Sequence, residues 1–313
     1  MQISPETQLF IREHQTDDVR ALALQARKYP NVDMPTAITQ IAGRQVAAEK
    51  IPSWRDTDDI WYPKHLSLEQ CSSEVTARYK ATLLKGNSLT DLTGGFGIDC
   101  AFLAARFKSA TYVERQQELC EIAAHNFPIL NLNHINVKNE DGVSYLQAMS
   151  PVDCIFLDPA RRNEHGGKTV AISDCEPDVA ELEELLLNKA GQVMVKLSPM
   201  LDLSLALKEL QHVQEVHIIS ANNECKELLL ILGQASVEEI SIHCVNLPTK
   251  GIQEEQHFVF TREQEQCSEC NYTNVLENYL YEPNASLLKA GAFRSIASAF
   301  PVKKLHPNSH LYT

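Results

Sequence analysis

Apolar residues change their spacing twice along the chain. Over residues 5–50 the sequence is polar, with apolar positions at helical intervals: Val19, Leu22 and Leu24, then Ile38, Ile41 and Val46. That period predicts helices, and Pro30 and Pro35 divide them. Residues 52–63 read as a loop carrying Trp54 and Trp61. Its aromatics either cover a bound ligand or pack a hinge. Residues 66–84 read as one helix, with Ser67 and Gln70 at capping-box spacing. A helical N-terminal domain is expected over residues 1–80.

From residue 81 to 235 short apolar runs alternate with helix-like stretches. The runs are 88–90, 110–113, 135–138, 153–157 and 192–197. A closing pair, 216–219 and 228–232, flanks Asn222-Asn223-Glu224. This alternation predicts an α/β, Rossmann-like, doubly wound sheet. The sheet is expected to be mostly parallel, with helices on both faces and an antiparallel final pair. Ligands bind outside the C-terminal strand ends of such sheets. After Gln234 the rhythm changes again. Strands over 240–245 and 257–261, a segment at 279–282, a helix over 286–300 and a short end at 310–312 read as a small α+β module, 236–313.

Composition narrows the class. The chain has 313 residues, 44% hydrophobic, and no apolar run approaching a membrane span. The start, Met1-Gln-Ile-Ser-Pro-Glu6, lacks the basic-then-apolar pattern of a signal peptide. The nine cysteines are scattered, and Cys100, Cys154 and Cys244 sit inside apolar runs, which points to a reducing cytoplasm. A net charge of −13 argues against a nucleic-acid coat over the whole surface, but phosphate binding needs only a local stripe. Residues 271–313 carry Lys289, Arg294, Lys303 and Lys304 against Glu277 and Glu282. That excess is either such a stripe or chance.

The chemistry concentrates at strand ends. Asp91-Leu-Thr-Gly-Gly-Phe-Gly-Ile-Asp99 follows the first run and opens a helix-like stretch. Its glycines allow a tight turn and a close approach of backbone to ligand. The spacing does not fit the dinucleotide pattern G-x-G-x-x-G, which counts against an NAD-dependent oxidoreductase. The second run ends in Glu114, 19 residues after Gly95, where a ribose diol would be gripped. The third leads to Asn139-Glu140-Asp141-Gly142 and the fourth to Asp158-Pro159-Ala160-Arg161-Arg162.

These landmarks resemble those of class I S-adenosylmethionine (SAM) methyltransferases. Asp91, Gly95 and Gly97 fit that family's D-x-x-x-G-x-G motif, with Thr93 and Gly94 inside it. The resemblance implies SAM as cofactor, with Asp141 meeting the adenine amino group. The turn at Asp158 resembles the (D/N)-P-P-x turn of enzymes acting on nucleic-acid bases. Residues 66–74, 158–162 and 281–285 together resemble a group of bacterial SAM-dependent methyltransferases ending in a THUMP-like domain. That resemblance implies an RNA methyltransferase. It also leaves open that the chain is a truncated or processed form.

On this reading Asp158, Pro159 and Arg161 are the catalytic candidates. The Asp158 side chain and the Pro159 carbonyl would hold an amino N–H of the acceptor base. Position 160 departs from the motif, with Ala160 where many relatives have a second proline. Arg161 stands where some relatives have an adenine-stacking aromatic, which counts against adenine N6 as the target. Arg161 or Arg162 either stacks on a base or binds phosphate, or pairs with Glu164 and Asp174. A carbon target needs a cysteine nucleophile, and none lies in the turn, so nitrogen or oxygen is the expected acceptor. A base nitrogen of RNA is the reading adopted. The competitor is a methyltransferase fold that binds SAM or RNA without transferring methyl.

Three further motifs carry less. Gly167-Lys168-Thr169 imitates the end of a phosphate-binding loop, but Arg162 stands where its first glycine must be. Cys267-Ser-Glu-Cys270 supplies two zinc ligands at most, with no matching pair. The eleven histidines show no ligand spacing, so no metal is expected.

Overall fold

The computed structural model describes residues 3–161, 171–248 and 254–313. They pack as two compact units, Met1–Asp153 and Cys154–Thr313. Among the described residues, no helix is long and apolar enough to cross a membrane.

The first unit opens with helices α1 (Pro5–Glu13), α2 (Val19–Leu24) and α3 (Met34–Lys50). Side-chain caps at Ser4, Asp18 and Asp33 start them, and Pro35 falls in the first turn of α3, where its missing N–H costs nothing. Their apolar stripes meet in a small core of Phe10, Leu22, Met34, Ala37 and Ile41. The expected loop contains the one-turn α4 (Pro52–Arg55). The expected helix over 66–84 is two helices, α5 (His65–Gln70) and α6 (Glu74–Leu83). The cap sits at Ser73, which accepts the Thr76 N–H, and not at Ser67. The local competitor is Ser72-Ser73: the Ser72 hydroxyl donates to Asp99, and the Ser73 hydroxyl caps the new helix.

The remaining elements of this unit are β1 (Ser88–Asp91), α7 (Ile98–Ala104), β2 (Ser109–Glu114), α8 (Gln117–Ile129), β3 (Ile135–Asn139) and α9 (Gly142–Ala148). The strands β1, β2 and β3 are parallel neighbours, as the alternation predicts. Strand β4 (Val152–Leu157) begins here, with Asp153 accepting the backbone N–H groups of Asn87 and Ser88.

In the second unit β5 (Ala160–Arg161) pairs antiparallel with β6 (Cys175–Glu176). There follow α10 (Val179–Lys189), β7 (Ala190–Leu197), α11 (Leu203–Glu209), β8 (Val213–Ala221) and β9 (Glu224–Gly233). Asn222 and Asn223, both at positive φ, make the β8–β9 hairpin turn. The strands expected to found a separate α+β module instead extend the sheet. Strand β10 (Ser241–Leu247) lies parallel to β8, and β11 (Gln256–Phe260) lies antiparallel to β10. The order in this unit is β11-β10-β8-β9-β7-β4. The physical reason is that β8 would otherwise present an open edge of unpaired N–H and C=O groups.

Three short helices complete the unit: α12 (Arg262–Cys267), α13 (Ala285–Ala290) and α14 (Phe293–Ala299). The expected single helix over 286–300 breaks at Gly291, which caps α13 in the left-handed region at φ 74°. The ends expected at 279–282 and 310–312 meet in a Tyr281–Tyr312 bridge.

Candidate active site

The glycine turn is held from three sides within the first unit. Buried Asp91, at the end of β1, accepts the Thr93 N–H at 3.0 Å. Gly94 donates to the Val113 carbonyl at 2.8 Å, and Gly97 donates to the Gly94 carbonyl at 2.9 Å. The Tyr112 hydroxyl donates to the Gly95 carbonyl at 2.5 Å. Gly95 and Gly97 both lie at positive φ, 54° and 88°. A Cβ on Gly94 would come within 2.2 Å of the Tyr112 ring, whereas one on Gly95 would meet only the Thr93 carbonyl oxygen, at 3.8 Å. Gly94 is therefore needed for packing. Gly95 faces open space, where backbone can be approached by a ligand.

Glu114 ends β2 and is nearly buried. Its Oε2 accepts the Gly95 N–H at 3.0 Å and its Oε1 accepts the Gln116 N–H at 2.8 Å. A carboxylate has about four acceptor sites, so each oxygen keeps capacity for a hydroxyl of a ribose diol. Asp141 is exposed and caps α9, its Oδ1 accepting the Ser144 N–H at 2.9 Å. Asn139 donates to the Glu114 and Arg115 carbonyls and ties β3 to the end of β2. The open face at Gly95 and the acceptor capacity of Glu114 fit a nucleoside cofactor of the SAM type.

The aromatic loop packs onto this turn. Trp54 is buried edge-to-face on Phe96, with ring centroids 5.1 Å apart. Trp61 stacks on His125 at 3.6 Å, and its backbone is held on both sides by Asn126. Behind the turn, fully buried Lys80 pairs with Asp99 at 3.0 Å, and Ser72 bridges the two. The sequence reading missed this pair; a lysine in the apolar stripe of α6 was its one signal.

In the second unit β4 leads into Asp158, whose side chain is 38% exposed and paired with Lys196 of β7. Pro159 is buried and Ala160 exposed. The Arg161 backbone sits opposite Cys175 in the β5–β6 ladder. Cys175 is buried in that ladder. Arg162, Glu164 and Gly167-Lys168-Thr169 lie outside the described residues. Lys196 is a further residue that sequence reasoning missed; a lysine inside Val193-Met-Val-Lys-Leu197 was the signal.

The tail cations are committed within the fold. Lys304 is 4% exposed, lies over the Phe293 ring and donates to the Pro307 carbonyl. Lys289 donates to the Leu201 carbonyl, Arg294 to the Gln266 carbonyl, and Lys303 pairs with Glu277 at 2.9 Å. Lys304 is thus a packing residue and not a phosphate contact.

The comparisons agree with this geometry. The chain is 36% identical to a "putative methyltransferase" from Porphyromonas gingivalis W83, over 98% of this chain and 77% of that one, with a TM-score of 0.86. Residues 48–163 match the model of protein-L-isoaspartate(D-aspartate) O-methyltransferases, and residues 279–313 match a ferredoxin-like domain. A protein from Streptococcus mutans in complex with SAH is 14% identical over 51% of this chain and 96% of its own, with a TM-score of 0.38, too low to carry weight. No curated protein matches the chain. The chain belongs to the class I methyltransferase family.

Proposed function

We propose that the protein is a SAM-dependent methyltransferase whose acceptor is a base nitrogen of RNA. The observation that carries the cofactor half is the glycine turn locked to Glu114. Asp91 and the Thr93, Gly94, Gly95 and Gly97 backbone would hold the amino-acid end. Glu114 would take the ribose hydroxyls and Asp141 the adenine amino group. When bound, SAM supplies a methyl group activated on a sulfonium.

Methyl transfer of this kind asks the protein for position and exclusion of water more than for covalent chemistry. Asp158 would accept an N–H of the acceptor base, and Lys196 keeps its carboxylate in one orientation. The Pro159 carbonyl would accept a second N–H. Both contacts would hold the nitrogen lone pair toward the methyl group. Arg161 would stack on the base or bind its phosphate. What supports an RNA acceptor is the proline turn and its resemblance to base-modifying enzymes. In the tail, buried Lys304 is engaged by the Pro307 carbonyl, which leaves capture there to Lys289, Arg294 and Lys303.

The test is transfer of labelled methyl from SAM to total RNA by the purified chain. Mass spectrometry of nucleosides from wild-type and deletion cells then names the base. Ala160 in place of a second proline favours one alternative, a module that binds SAM or RNA without transfer. Binding of S-adenosylhomocysteine with no labelled product on RNA would select that alternative.

A further inference from the structure

Four side chains with metal-ligating chemistry meet on one face of the sheet in the second unit. His217 of β8 lies directly opposite His243 of β10 in the parallel register. Glu215 is two residues before His217, so it shares that face. Opposite Val245, two residues beyond His243, stands His257 of β11. The His217 and His243 rings stack at 4.4 Å, and the His243 and His257 rings lie 5.3 Å apart. One donor atom each from Glu215, His217 and His243 falls within 4.8 Å of the others.

We propose that Glu215, His217, His243 and His257 form a binding site for a divalent transition-metal ion, zinc above all, which clips β8, β10 and β11 together. Two spacings carry this. Ligand atoms on a tetrahedral zinc lie about 3.3 Å apart, given zinc–ligand bonds of about 2.0 Å. His217 Nε2 lies 3.1 Å from Glu215 Oε2, and His243 Nδ1 lies 3.1 Å from His257 Nε2. Each pair is at the separation of two ligands on one ion. The wider spacing between the pairs closes by side-chain rotation, since the strands are already in register.

The surroundings supply what a zinc histidine needs. Ser241 Oγ lies 3.0 Å from His243 Nε2. If that nitrogen carries the proton, Ser241 accepts it, and Nδ1 presents its lone pair to the ion. Neutral imidazole is the ligating form. Imidazole and carboxylate donors without thiolate suit zinc and its neighbours better than magnesium or calcium. A metal here also explains why buried His217 faces a carboxylate.

The experiment uses tag-free full chain with Cys267→Ser and Cys270→Ser, which removes the one thiol pair able to compete. Zinc chloride is titrated against a chromophoric chelator, and melting is followed with and without zinc. The expected result is one zinc per chain and a higher Tm that EDTA reverses. Glu215→Gln and His243→Gln should each lower zinc affinity at least about 10-fold, because even outer-shell changes cost 10–100-fold. If a variant fails to fold, zinc-edge X-ray absorption on the Cys267→Ser, Cys270→Ser chain decides: imidazole scattering with oxygen and nitrogen neighbours supports the site. No bound zinc, or zinc affinity unchanged in both variants, overturns it and leaves a hydrogen-bonded histidine ladder.

Discussion

The Glu114 carboxylate accepts the Gly95 N–H at 3.0 Å across a separation of 19 residues. The residue expected to grip ribose therefore also shapes the turn expected to hold the rest of the cofactor. Glu114→Ala should weaken S-adenosylhomocysteine binding by about 1.5–3 kcal/mol, the range for hydrogen bonds to a charged group. It should also loosen the turn, seen as faster hydrogen exchange at Gly95. Unchanged affinity by calorimetry would remove Glu114 from the cofactor site.

The glycines separate into two roles. Gly94→Ala drives a methyl into the Tyr112 ring and should unfold or strongly destabilise the first unit. Gly95→Ala has room but a left-handed backbone, and should cost about 1–2 kcal/mol. Gly95→Asp should fold and yet lose S-adenosylhomocysteine, since the side chain and its charge enter the ligand's space. Tight binding by that variant would sink the assignment.

Asp141 has a structural task that the adenine role must share. Asn caps helices about as well as Asp, so Asp141→Asn should leave the unfolding free energy within about 0.5 kcal/mol of the wild type. The same change turns one acceptor oxygen into a donor and should weaken S-adenosylhomocysteine several-fold. A loss of stability with unchanged affinity would leave Asp141 as a cap alone.

Asp158→Asn and Lys196→Met should each abolish methyl transfer while cofactor affinity stays within a few-fold. Lys196→Met leaves a partly exposed carboxylate without its cation. The stability cost should fall between the roughly 1 kcal/mol of an exposed pair and the 3–5 kcal/mol of a buried one. Full turnover by Asp158→Asn, measured on whichever acceptor the wild type methylates, would make the pair structural.

Behind the turn, Lys80→Met should cost about 3–5 kcal/mol, because it strands a mostly buried Asp99. Lys80→Met with Asp99→Leu should recover much of that loss. Chemical denaturation of the single and double variants measures the coupling. A single variant within 1 kcal/mol of wild type would mean that Ser72 alone satisfies Asp99.

What the sequence determined by itself were the local features. The alternation placed β1 to β4, β7 and the β8–β9 hairpin, because short apolar runs and the Asn222-Asn223 turn are written in neighbouring residues. The acids at strand ends, Asp91, Glu114 and Asp158, were legible for the same reason. Helix ends were less so. Ser67 and Ser73 offer the same hydroxyl, and only the exit of the chain at Cys71-Ser72-Ser73 chose between them. Partners distant in sequence were not legible. Lys196 meets Asp158, and Lys80 meets Asp99, because strand order and helix packing bring them together. The His217–His243–His257 ladder shows this most plainly. No spacing along the chain marks it, since its members sit on three strands whose register is decided by the sheet edge at β8. The commitment of Lys304 to the interior is likewise a tertiary fact, decided by the Phe293 ring and the Pro307 carbonyl that surround it.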